Sequence, residues 1–121
     1  HYLLNLILQT YVQSEFENHR RTGWKELVRL KHPLALCGLV DSACTELVKG
    51  KDVVTQRYVI CTFIHALERD LNQQTEDGKP VDFSALRECL AGVTHDKLKD
   101  KVSRLGCLLD QHAKITSTSL Q

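Results

Sequence analysis

Residues 52–71 read D-V-V-T-Q-R-Y-V-I-C-T-F-I-H-A-L-E-R-D-L. Ile60, Ile64, Leu67 and Leu71 recur at the three-four spacing of one helical face, and Val59, Phe63 and Ala66 lay a second apolar stripe beside it. A helix apolar over so wide an arc buries most of its circumference, so the pattern predicts a central helix with the other elements packed around it. Asp52 suits the N-cap, where a short carboxylate accepts from the free backbone N–H groups of the first turn.

Immediately upstream, Leu34–Lys49 predicts a helix with Cys37, Val40, Cys44 and Leu47 at core spacing and Gly50 at the position where a left-handed residue closes it. The connector Lys49-Gly50-Lys51-Asp52 is so short that the two helices must form an antiparallel hairpin. Nearer the start, Tyr2 to about Asn18 reads as a first helix, with Leu4, Leu8 and Tyr11 on one face and Leu3, Ile7 and Phe16 broadening it. This stripe reads first as core and second as an apolar interaction surface. Thr22-Gly23 reads as its break, and Trp24–Lys31 as a short second helix ended by His32-Pro33.

Downstream, the polar run 72–80 reads as a solvated connector. Asp82 caps a short helix over Phe83–Ala91, and Gly92 stops it. Thr94 caps a last helix over His95–Lys114, striped by Leu98, Val102, Leu105 and Leu109. The predicted fold is all-α, a compact bundle of about five to six helices in antiparallel hairpins, with a HEAT-like stack as the other arrangement of the same hairpins. No repeat recurs at fixed spacing, which favours the bundle. Residues 1–115 form a single domain in this reading, and 116–121 a flexible polar tail.

Composition narrows the function classes. At 121 residues with 42% hydrophobic content, the chain suffices for one domain with a real core. A formal charge of +1 excludes a polycation that binds nucleic acid through its total charge. No apolar run approaches the roughly eighteen residues of a membrane span. Starting at His1 inside a helical pattern, the chain reads as a piece of a larger protein. Its five cysteines, 37, 44, 61, 89 and 107, are odd in number, lack a C-x-x-C and sit in apolar helical segments. They read as small core residues of an intracellular protein in a reducing compartment, cytoplasm or nucleus.

Enzyme signatures are missing: the chain has no phosphate-binding glycine loop, no H-E-x-x-H and no G-x-S-x-G. No catalytic residue and no cofactor are expected. Cys61 and His65 lie four apart on one helical face and can share a metal or form a redox-responsive pair, but zinc needs two further ligands. The surrounding valines, isoleucines and phenylalanine favour core packing for both.

The most informative surface feature is basic. Arg20, Arg21, Lys25, Arg29 and Lys31 stand between His19 and His32, opposed there only by Glu26. Arg21, Lys25 and Arg29 are spaced four apart, with Trp24 beside them. The plain reading is a solvated face with Trp24 packed inward; as a binding surface, the patch suits an acidic segment of a protein partner. It also suits a phosphate backbone, RNA or DNA, with Trp24 stacking on a base. The reading that follows is a non-enzymatic interaction module, a scaffold or regulatory domain of a larger protein. Nucleic-acid binding through the same residues is the alternative.

Overall fold

Asp52 opens the central helix by taking three donors at once. Its Oδ1 accepts from the Val54 N–H at 3.1 Å, and its Oδ2 accepts from the Thr55 hydroxyl and from Arg21 Nε, each at 2.7 Å. Helix α4 then runs over Val53–Arg69 and buries Thr55, Val59, Ile60, Thr62, Phe63, Ile64, Ala66 and Leu67. These side chains cover most of its circumference, as the two apolar stripes predict. Each of the larger ones contributes about 1.5–3 kcal/mol on leaving water.

The computed structural model describes residues 2–30 and 33–119, with side chains over 6–30 and 33–117. Around α4 stand α1 (Tyr2–Val12), α2 (Glu17–Arg29), α3 (Val40–Lys49), α5 (Ser84–Ala91) and α6 (Lys99–Ser119), the last entered through a 3₁₀ turn at Asp96–Leu98. Helix α4 packs against α2, α3 and α6, while α1 lies on α2, and α3 meets α5. The architecture is an all-α bundle of packed helix pairs. Four rings thread the core: Trp24 to Phe63 at 6.4 Å, Phe63 to Phe83 at 6.4 Å and Phe83 to His112 at 4.9 Å between centroids.

Several boundaries differ from the sequence reading. The first break falls at 13–16, and Gly23 lies inside α2, buried. A Cβ at Gly23 would stand 2.8 Å from Tyr11 Cβ and 2.9 Å from Val12 Cγ1, so this glycine serves the close approach of α1 to α2. Helix α3 starts at Val40, not at Leu34. The preceding segment buries Leu34, Leu36 and Leu39 without being helical. Gln73 holds it: its side chain accepts from the Leu36 N–H at 3.0 Å and donates to the Leu34 carbonyl at 3.1 Å.

The run 72–80 is therefore no plain connector. Gln73 is buried, Gln74 and Pro80 form an isolated β-bridge, and Gly78 turns the chain with a φ of 78°. His112 of α6 seals the same loop, placing Nδ1 2.8 Å from the Leu71 carbonyl and Nε2 3.0 Å from that of Val81. The 3₁₀ turn is capped by His95, whose Nδ1 accepts from the Lys97 N–H at 3.1 Å, in place of Thr94. Helix α6 continues to Ser119 with Thr116 buried, where the sequence reading begins a tail. Gly50 follows α3 in an extended conformation with a φ of −69°, and a Cβ there would collide with the Glu46 carbonyl.

Candidate interaction surface

Helix α1 carries no charged residue along Tyr2–Val12. It spends Leu8 and Val12 on the core, at 4% and 2% exposure. The rest of its described apolar side chains turn outward: Leu6 is 42% exposed, Ile7 53% and Tyr11 40%, and Phe16 just beyond is 59% exposed. Among the described residues α1 packs chiefly on α2, where Gly23 allows a close approach, and Gln9 reaches Gly38 of the segment 33–39; Leu6, Ile7 and Tyr11 face water.

The corner between α1 and α2 is built without proline or glycine. The Ser14 hydroxyl accepts from the Phe16 N–H at 3.1 Å and lies 3.4 Å from His19 Nδ1. Arg20 Nη1 donates to the carbonyls of Ser14 and Glu15, both at 3.1 Å. The His19 ring meets Tyr11 and Phe16 edge-on at 5.9 and 5.3 Å between centroids. Ile7, Thr10, Tyr11, Ser14 and His19 thus line a shallow depression of about 350 Å³, with Phe16 beside it.

The basic window folds differently from its sequence reading. Helix α2 is unbroken over Glu17–Arg29, so Arg21, Lys25 and Arg29 do share a stripe. Their charges are largely engaged, however. Arg20 Nε binds Glu46 Oε1 at 2.8 Å, with the Glu46 side chain only 3% exposed. Arg21 binds Asp52 Oδ2 at 2.6 Å. Burial pushes the Asp52 carboxyl up, but the hydrogen bonds from Thr55, Arg21 and Val54 and the Arg21 charge outweigh it and hold the group below its usual 3.8. Arg29 lies 3.7 Å from Glu26 on the surface, and Lys25 is exposed. Lys31 lies outside the described residues.

Trp24 corrects the reading most directly. It is 0% exposed, stacked near Phe63, and cannot meet a partner's surface. Its Nε1 is buried without a hydrogen-bond partner among the described residues. The indole sits one position before Lys25, so it faces α4 while the lysine faces water, as the helical turn of about 100° per residue requires.

The cysteines are not deep core residues either. Cys37, Cys44, Cys61 and Cys89 are half-buried and Cys107 is exposed, all as free thiols, and Cys37 stands in a turn. Cys61 and His65 share the outer side of α4, with His65 exposed. Among the described residues no cluster of three or more metal-ligating side chains forms, so the pair stays two ligands short of a zinc site. No described helix is long and apolar enough to cross a membrane. Comparison with known protein families, curated proteins and solved structures finds no match.

The sequence reading weighs the apolar face of α1 with Ile7, Tyr11 and Phe16 as an interaction surface but favours core for it, and it misses His19 as part of the same face. The signal is the uncharged, apolar length of α1.

Proposed function

We propose that this domain is a non-enzymatic helical module that binds another protein through the outer face of α1 and the α1–α2 corner. The observation that carries the reading is the exposed row Leu6, Ile7, Tyr11 and Phe16 on an uncharged helix, held in place by the Ser14–Arg20 corner. Contiguous exposed apolar surface marks interaction sites more often than not, and aromatic residues in such patches carry most of the binding energy. Phe16 is flanked in sequence by the exposed Glu15 and Glu17. The partner of matching chemistry is an amphipathic helix that sets one apolar side chain into the depression and flanks it with lysine or arginine. Binding of such a segment suits a scaffold or regulatory role.

A displayed library of helical peptides, selected on the intact domain, tests this. Enriched peptides carry an apolar ridge with basic flanks, and Ile7→Ser or Phe16→Ser weakens them by roughly tenfold or more, about 1.4 kcal/mol. The melting temperatures of both variants stay close to that of the parent. Selected peptides that bind these variants and the parent alike refute the reading. Nucleic-acid binding through α2 is supported less, because Arg20 and Arg21 are held by Glu46 and Asp52.

A further inference from the structure

Two places on the surface combine exposed apolar side chains with charge, and the charges have opposite signs. At the α1–α2 corner, Phe16 stands in sequence between the exposed Glu15 and Glu17. The turn that joins α3 to α4 is the second place. Val48, near the end of α3, is 66% exposed, and Val54, in the first turn of α4, is 47% exposed. Lys49, Lys51 and Arg57 are exposed around them. None of these three cations has an ion pair among the described residues. Asp52 is the sole acid of the stretch 47–58, and Arg21 already neutralises it at 2.6 Å.

Chain geometry keeps the five side chains together. Val48, Lys49 and Val54 each lie within three residues of Lys51, so their backbones stand within about 10 Å of it. Arg57 follows Val54 by three residues and rises from the same face of α4, one turn on. The turn itself is fixed by hydrogen bonds. The Gly50 N–H donates to the Glu46 carbonyl at 3.0 Å, Gln56 Nε2 donates to the Gly50 carbonyl at 2.9 Å, and Asp52 accepts from the Val54 N–H at 3.1 Å. The tip is therefore a preformed corner that has little order left to gain on binding.

We propose that this hairpin tip docks on an anionic membrane surface. Val48 and Val54 enter the boundary between headgroups and acyl chains, and Lys49, Lys51 and Arg57 meet the negative headgroups. Charge selects the sign of the partner, and the valines select its class. A nucleic acid offers phosphates to the three cations but only a polar backbone to the valines. An anionic bilayer offers both, a negative layer over hydrocarbon. The same surface repels Glu15 and Glu17, so the α1–α2 corner is no competitor for it. Three cations and two valines give weak, reversible attachment, governed by the density of anionic lipid.

Sedimentation of the intact domain with vesicles tests the proposal. Vesicles of phosphatidylcholine with roughly one third phosphatidylserine should carry the domain down, and pure phosphatidylcholine should not. Raising the salt from about 0.1 M to about 0.5 M should release it, because the screening length shortens. Lys49→Gln, Lys51→Gln and Arg57→Gln should each lower the partition coefficient roughly fivefold. Val48→Ser with Val54→Ser should lower it roughly tenfold at unchanged charge. Ile7→Ser with Phe16→Ser should leave it unchanged. Thermal melts check that each variant is folded, and the lipid and salt dependence of the parent stands without any variant. Failure to sediment with the anionic vesicles, equal binding to both vesicle types, or loss through the Ile7 and Phe16 pair overturns the proposal. Binding that survives removal of both valines overturns it too, and tighter capture of a duplex RNA or DNA probe by the same cations then assigns the tip to nucleic acid.

Discussion

Helices α1 and α2 form one hairpin and reverse what their compositions announce. Helix α1 is uncharged and apolar and looks like core, yet it shows Leu6, Ile7 and Tyr11 to water. Helix α2 is highly charged and looks like surface, yet it buries Trp24 completely and ties Arg20 and Arg21 to carboxylates on other elements. The difference lies in what each helix has against it. Helix α2 is sandwiched between α1 and α4, whereas among the described residues α2 is the main neighbour of α1. Charge on a helix therefore says little about its availability until its partners are known, and apolar character says as little about burial.

The largest test of this contrast is Trp24→Ala. Truncation leaves a large cavity between α2 and Phe63, and the cost should be about 3–5 kcal/mol in urea unfolding. A variant of near-parent stability would return Trp24 to the surface and dissolve the contrast. Arg20→Ala comes next. It strands Glu46, 3% exposed, without its cation, and should destabilise the domain by roughly 3 kcal/mol. A loss within experimental error would class Arg20 with ordinary surface arginines.

Asp52 sharpens the comparison through pH. Its folded carboxyl is held below the usual 3.8, so its contribution to stability is complete above about pH 5. That contribution is lost as the pH falls through the folded value. Asp52→Ala should cost about 1 kcal/mol at neutral pH and flatten the acid limb of the stability profile. An unchanged acid limb would mean that the Arg21–Asp52 pair does not anchor α2. The smallest effect belongs to Lys25→Gln combined with Arg29→Gln, which should leave stability within about 0.5 kcal/mol, as expected for exposed side chains whose one ion pair, Arg29 with Glu26, lies on the surface. A larger loss in thermal melts would show that the outer stripe of α2 is structural as well.

What the sequence showed and what it hid follow from range. The central helix, its Asp52 cap and the Phe83-Leu86-Leu90 face were legible, because capping and three-four spacing are local rules. The break at 13–16 was not, because Ser14 and Arg20 make it with hydrogen bonds rather than with proline or glycine. Gly23 was misread as a turn because close helix packing and chain reversal both select glycine. The non-helical course of 33–39 depends on Gln73, which lies far along the chain in a run that looks purely solvated. The basic window was visible, but its engagement was not: Arg20 and Arg21 reach partners 26 and 31 residues away. The apolar face of α1 was visible and its exposure was the less favoured of two readings, since periodicity records an apolar stripe and not what covers it.

Trp24 is the sole tryptophan of the chain, and its indole is sealed from solvent with Nε1 unpaired among the described residues. The domain thus carries a built-in optical reporter at the seam between α2 and α4. Buried against Phe63, the indole should emit at short wavelength and resist dissolved quenchers. Any event that parts α2 from α4 should shift that emission to the red, so the seam can be followed in time without an attached dye.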